Sequence, residues 1–126
     1  MVRKVIIILL LLALLGGAYL QSSYINSTVD ELLLLTGEVE TAFYAGDMAG
    51  AERALDALLQ CWEGHENPMS MLLEHAEVDH IHEEMGTLGA NVTAGVTEEI
   101  PAALTRLKYY LAHLVDMDAI KLANIL

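Results

Sequence analysis

The sequence predicts an all-α protein: an N-terminal membrane-anchor helix followed by an antiparallel bundle of about four helices. Three observations carry this. The chain starts MVRKVIIILLLLALLGGAYL, an apolar run behind two positive charges. The remainder repeats apolar residues at three- and four-residue spacing, the period of one helix face. Strand signals are absent, and short Gly- or Pro-containing breaks separate the periodic stretches.

The apolar run is uninterrupted from Val5 to Leu15, and Gly16, Gly17, Ala18, Tyr19 and Leu20 extend it. That length is near the low end of the roughly 17–25 residues that span a bilayer. Arg3 and Lys4 flank the run and are expected to stay cytoplasmic, which places the rest of the chain outside. Residues 1–21 therefore read as a signal-anchor segment and 22–126 as an extracytoplasmic bundle, a single-pass protein of the cell membrane. The alternative is a cleaved signal peptide with Gly16-x-Ala18 at the cleavage site, giving a secreted domain. The short positive region and the missing Ala pair favour the uncleaved anchor.

The first bundle helix is expected to open at Ser27 or Thr28 and run to about Ala45, or to continue directly from the anchor. Val29, Leu32, Leu33, Val39 and Phe43 give it one apolar face. Gly46 ends it and Asp47 caps the next helix. The second helix carries Ala51, Ala54, Leu55, Leu58, Leu59 and Trp62. The stretch FYAGDMAGAERALDALL looks like one tetratricopeptide-type hairpin, but a solenoid needs about three or more copies. GHENP, residues 64–68, is expected to break the second helix, with Pro68 in the first turn of a third helix running from about Met69 to Leu88. GTLGANVTAG, residues 86–95, reads as a glycine-rich loop. Thr97, Glu98 and Glu99 open the fourth helix, with Pro101 in its first turn. Its buried stripe is Ile100, Leu104, Leu107, Leu111 and Leu114. The terminal LANIL is apolar and is expected to pack back onto the bundle. Four helices with short connections make an antiparallel bundle.

The formal net charge is −12, from 6 basic and 18 acidic residues. Arg3 and Lys4 precede every acidic residue, so the chain from residue 5 onward has 4 basic residues against 18 acidic ones, a net −14. A body that acidic repels nucleic acid and anionic lipid headgroups and accepts cations or basic partners. Cys61 is the single cysteine and can form no internal disulfide. It reads as a small buried residue, the alternative being an intermolecular disulfide or a reactive thiol.

Residues 74–84, EHAEVDHIHEE, hold three histidines and five acidic residues. On a helix His75, Asp79 and His82 share one edge, because residues three and four apart are neighbours. His75 falls on the apolar stripe, while Glu77, His80, Glu83 and Glu84 point to water. A divalent metal would use His75, Asp79 and His82, with His113 of the last helix as a fourth ligand. A paired-metal bundle site needs an acid-x-x-His on each of two helices, and here that spacing occurs only within this one stretch. The more economical reading is a polar network of His75, Asp79 and His113 at the core edge. No nucleophile elbow, phosphate loop or defined acid pair points to an enzyme, and no cofactor is expected beyond that metal.

Several short motifs recur in order: the Arg3-Lys4 start with its apolar segment, Asp30-Glu31-Leu32-Leu33, Gly46-Asp47-Met48 leading to Ala51, and Trp62. His75, Glu77, Asp79, Ile81, His113 and the terminal Asn124-Ile125-Leu126 complete the series. In these the chain resembles, over essentially its whole length, the domain of unknown function 4363 family of short, single-span, all-helical bacterial membrane proteins. The family's pattern usually has a tryptophan-rich basic linker before the third helix, where GHENP stands here. The resemblance implies an anchored bundle and no established activity. It also implies an accessory role, since members tend to be encoded beside a small multi-span membrane protein. The expected function is that of a non-enzymatic accessory or interaction protein of the bacterial cell envelope. It would contact lipid through its anchor and a second membrane protein through the bundle. The alternative is a metal-binding envelope domain built on the His75/Asp79/His82 edge.

Overall fold

The computed structural model describes residues 1–125 in backbone and residues 1–124 in side chains. Among them there are four α-helices and no strand: α1 (Val2–Tyr44), α2 (Met48–Leu72), α3 (His75–Ala94) and α4 (Ile100–Ile125), with a 3₁₀ turn at Thr97–Glu99 before α4. Helix α1 packs on α2 and α4, α3 packs on the same two, and α1 and α3 sit on the diagonal. This is an up-down-up-down bundle. One member, α1, extends far beyond the other three.

Helix α1 is 43 residues long, about 65 Å at 1.5 Å per residue. No break occurs at Ser27 or Thr28, so the cap expected there is absent and the continuous alternative is the observed one. Its first half is exposed on every side. An 18-residue window of mean hydropathy 2.3 has none of its residues buried. Its second half buries Ile25, Thr28, Val29, Leu32, Thr36 and Val39, a stripe at three- and four-residue spacing. Thr36 keeps its hydroxyl satisfied inside the core by donating to the Leu32 carbonyl at 2.7 Å.

The turn from α1 to α2 follows the sequence. Gly46 adopts φ +75°. Its N–H bonds the Phe43 carbonyl and the Asp47 N–H bonds the Ala42 carbonyl, the paired bonds of a left-handed helix cap. The Asp47 carboxylate then accepts from the Gly50 N–H at 2.8 Å and starts α2.

Two expected boundaries are wrong, for related reasons. GHENP does not break α2, which runs on to Leu72 with Pro68 inside it. Trp62 and Met69 are both buried and lie seven residues apart, two turns on one face, so the core contact outweighs the proline. The break comes at Leu73 and Glu74, both extended, and α3 starts at His75. Likewise GTLGANVTAG is helix, not loop. Val78, Ile81, Met85, Leu88 and Val92 make one buried stripe, and the glycines at 86 and 89 cost only about 1 kcal/mol each. The left-handed Gly95 ends α3.

Helix α4 buries Ile100, Ala103, Leu104, Leu107, Leu111 and Leu114. Its last turns pass beyond the start of α3 and reach α1, where Asp118, Lys121 and Leu122 share a small cavity with Ala18 and Gln21. Of the LANIL tail, Leu122 is half-buried while Ala123 and Asn124 are exposed. The Ile125 side chain and Leu126 lie outside the described residues.

Pro68 donates no backbone hydrogen bond and sits on an exposed face of α2, twenty residues after its first residue Met48 and four before its last, Leu72. Pro68→Ala should therefore raise stability by about 1–3 kcal/mol, read as a higher urea midpoint of the detergent-solubilised protein. A lower midpoint would mean that the helix needs a bend there.

Candidate metal-binding site

Four side chains of α1 and α2 converge on one edge of the bundle, at the end nearest the apolar segment. Tyr24 and Glu31 are seven residues apart on α1, two turns on one face. Cys61 and His65 are four apart on α2, also on one face. The α1–α2 packing sets these pairs opposite each other. The Tyr24 hydroxyl and His65 Nδ1 are 2.7 Å apart, with the two rings tilted at 56°. On the other side of the imidazole, Nε2 lies 3.7 Å from a Glu31 carboxylate oxygen. One donor atom each from Glu31, Cys61 and His65 lies within 4.8 Å of the other two.

The Cys61 thiol is pushed up to about 11. Burial is the main cause, the Glu31 charge the second, and a hydrogen bond to Glu31 the third. Cys61 is thus half-buried and tied to a carboxylate, not the simple apolar filler that the sequence implied. At neutral pH it is a protonated thiol, with about one part in 10⁴ as thiolate.

The residues that the sequence singled out are dispersed. His75 opens α3 and is exposed, because the helix starts there and not at Met69; it is not on the buried stripe. Asp79 is exposed as well. His82 turns to α2, with Nδ1 3.0 Å from Glu66. His113 stands 4.0 Å from Glu77 across the α3–α4 seam and stacks on Tyr109. Among the described residues no three of His75, Asp79, His82 and His113 bring donor atoms within metal-binding reach of one another. No hydrogen bond or ion pair there joins His75, Asp79 and His113. Three residues assigned to water have partners. Glu77 faces His113, Glu84 receives both of its bonds from Arg106 Nε at 3.1 Å, and His80 stacks on Tyr110 at 5.0 Å.

The sequence did hold a signal for the observed cluster. Cys61-x-x-x-His65 has the i, i+4 spacing by which a helix offers two donors to one ion. What it could not show is that Glu31 and Tyr24, 30 or more residues away, face that pair.

Cys61 should alkylate slowly with iodoacetamide at pH 8, and its rate should keep climbing past pH 10. Removing the Glu31 charge lowers the thiol pKa and raises the thiolate fraction. Glu31→Gln should therefore speed alkylation at pH 8 by about 3- to 10-fold; an unchanged rate would mean that burial alone holds the proton.

No curated protein and no solved structure matches the chain. A family model does: that of a domain of unknown function (DUF4363), over residues 19–125. The match begins where the apolar segment ends and takes in the whole bundle, including Tyr24, Glu31, Cys61 and His65. By that match the chain belongs to the DUF4363 family.

Proposed function

We propose that this protein is a membrane-anchored accessory protein of the bacterial cell envelope, which holds an acidic helical bundle outside the membrane to bind another membrane protein and performs no chemistry of its own. The observation that carries this is the exposed apolar half of α1, with mean hydropathy 2.3 and nothing in the bundle covering it. Burial of each Leu or Ile side chain is worth on the order of 2 kcal/mol, and a bilayer supplies that burial along the whole segment.

The lower end of the bundle suits this placement. Tyr19, Leu20, Met71 and Ile120 are exposed. From the Tyr24–His65 contact, seven more residues of α2 carry it about 10 Å further toward the apolar segment. Met71 therefore stands near the level of Leu20. Leu122 of α4 reaches Ala18. Aromatic and apolar side chains at that depth favour a membrane interface. Arg3 and Lys4 assign the cytoplasmic end by the positive-inside rule.

The surface that supports a partner is the outward face of α1. Leu33, Leu34, Gly37, Glu38, Thr41 and Ala42 line an open groove of about 660 Å³, and Leu34 is 65% exposed within it. The groove lies on the same helix as the anchor. An occupant that fits is a helix of a partner which itself crosses the bilayer beside α1.

Full-length protein should stay with membranes through an alkaline carbonate wash. In a Cys61→Ser background, Glu98→Cys should label with an impermeant maleimide in intact spheroplasts. Release by carbonate overturns the anchor, and labelling only after lysis reverses the orientation. Gentle crosslinking should recover one stoichiometric membrane protein, and Leu34→Glu should cut that recovery about tenfold, since a charge in a desolvated contact costs well over 1.4 kcal/mol. If no protein is recovered, or recovery is unaffected, the groove is not the contact.

A further inference from the structure

We propose that Glu31, Cys61 and His65 form a binding site for one divalent transition-metal ion, with Zn²⁺ the best fit, clamping α1 to α2 at the end of the bundle nearest the apolar segment. This site is independent of the anchor reading and uses none of the groove residues.

The donor set selects the ion. Thiolate sulfur, imidazole nitrogen and one carboxylate oxygen suit Zn²⁺, whereas Ca²⁺ and Mg²⁺ take oxygen ligands in greater number. A tetrahedral Zn²⁺ with bonds of about 2.0–2.3 Å holds its donors roughly 3.3–3.8 Å apart. Here the three donor atoms already lie within 4.8 Å of one another. Closing the remaining ångström falls to Glu31, whose side chain is 56% exposed and has room to move. Cys61 and His65 are fixed to each other by one turn of α2.

Tyr24 supplies an independent sign that His65 is set up as a ligand. Histidine ligands commonly tie their second ring nitrogen to a hydrogen-bond partner, which sets tautomer and ring orientation. At His65 the bond is made at Nδ1, 2.7 Å from the Tyr24 hydroxyl. In the tautomer with Nδ1–H donating to Tyr24 Oη, the Nε2 lone pair faces the cluster. Nε2 is the nitrogen that lies 3.7 Å from Glu31.

The ion also resolves the electrostatic conflict between carboxylate and thiol. Without it, burial and the neighbouring Glu31 carboxylate favour the protonated Cys61 thiol. On binding, the Cys61 S–H bond breaks, its proton leaves to solvent, and the sulfur electron pair forms the metal–sulfur bond. One negative carboxylate, one thiolate, a neutral imidazole and a dication then sum to zero. Three protein ligands leave a fourth position on the exposed side for water or for a ligand from another molecule.

The experiment is titration of the tag-free, full-length protein in detergent with Co²⁺ as a spectroscopic probe, then competition by Zn²⁺. One equivalent should produce a sulfur-to-Co²⁺ charge-transfer band and strong tetrahedral d–d bands. About one proton per ion should be released at pH 7. Cys61→Ser should abolish the charge-transfer band, and His65→Ala and Glu31→Gln should each weaken binding at least tenfold. Tyr24→Phe, which keeps the ring and removes the hydroxyl, should weaken it by about 10- to 100-fold. His75→Ala and His82→Ala should leave it unchanged. Circular dichroism of each variant separates lost binding from lost fold, and Glu31→Gln, at an exposed position, serves where a buried substitution unfolds the chain. Absence of the thiolate band in the wild-type protein, or binding that depends on His75 or His82 instead, overturns the site.

Discussion

The rest of the structure depends on the continuity of α1. A single helix carries two surface patterns. Its first half presents apolar side chains on every side, and its second half presents a stripe only. Because no turn separates the halves, the bundle cannot tilt relative to the apolar segment without bending a hydrogen-bonded helix. The other three helices are placed by the stripe, so the position of every bundle residue along the long axis is referred to the apolar half of α1.

The seams of the bundle repeat one device. Every adjacent helix pair is crossed by a contact between a basic or imidazole group and an acid: His65–Glu31 between α1 and α2, and His82–Glu66 between α2 and α3. Arg106–Glu84 joins α3 to α4, and Lys108–Glu40, at 2.6 Å, joins α4 to α1. These pairs are partly exposed, and exposed pairs contribute about 0–1 kcal/mol each. Stability comes from the leucine, isoleucine, valine and methionine stripes between the helices. The polar contacts fix which turn of one helix faces which turn of the next. In a chain this acidic, Arg106 and Lys108, two of the four basic residues in the bundle, and three of the five histidines meet a carboxylate.

The α1–α2 seam differs from the others in its chemistry. Elsewhere an acid meets a single base. Here a thiol, an imidazole and a carboxylate meet at one point, with a phenol behind the imidazole. The same packing that brings two helices together in the core therefore brings a soft donor and two harder ones together at its edge. The thiol is held protonated by burial and by Glu31, so at neutral pH this edge presents a thiol and not a thiolate.

What the sequence determined by itself is whatever depends on neighbours within a turn or two. The all-helical class, the apolar segment, the Gly46–Asp47 turn and the α4 stripe are all local patterns, and the structure has each of them. The helix boundaries at Pro68 and through Gly86–Gly95 depart from the local signals because local propensity there is weak, about 1 kcal/mol per glycine and 3 for a proline. Burial of Trp62, Met69, Leu88 and Val92 outweighs it. Only the tertiary structure decided which polar residues meet. His75, Asp79 and His82 are close in sequence, yet they point along an exposed helix surface. Glu31 and Cys61, thirty positions apart, bring their side-chain donor atoms within 4.8 Å, and the physical reason is that the register between α1 and α2 is set by buried apolar contacts that no local spacing encodes.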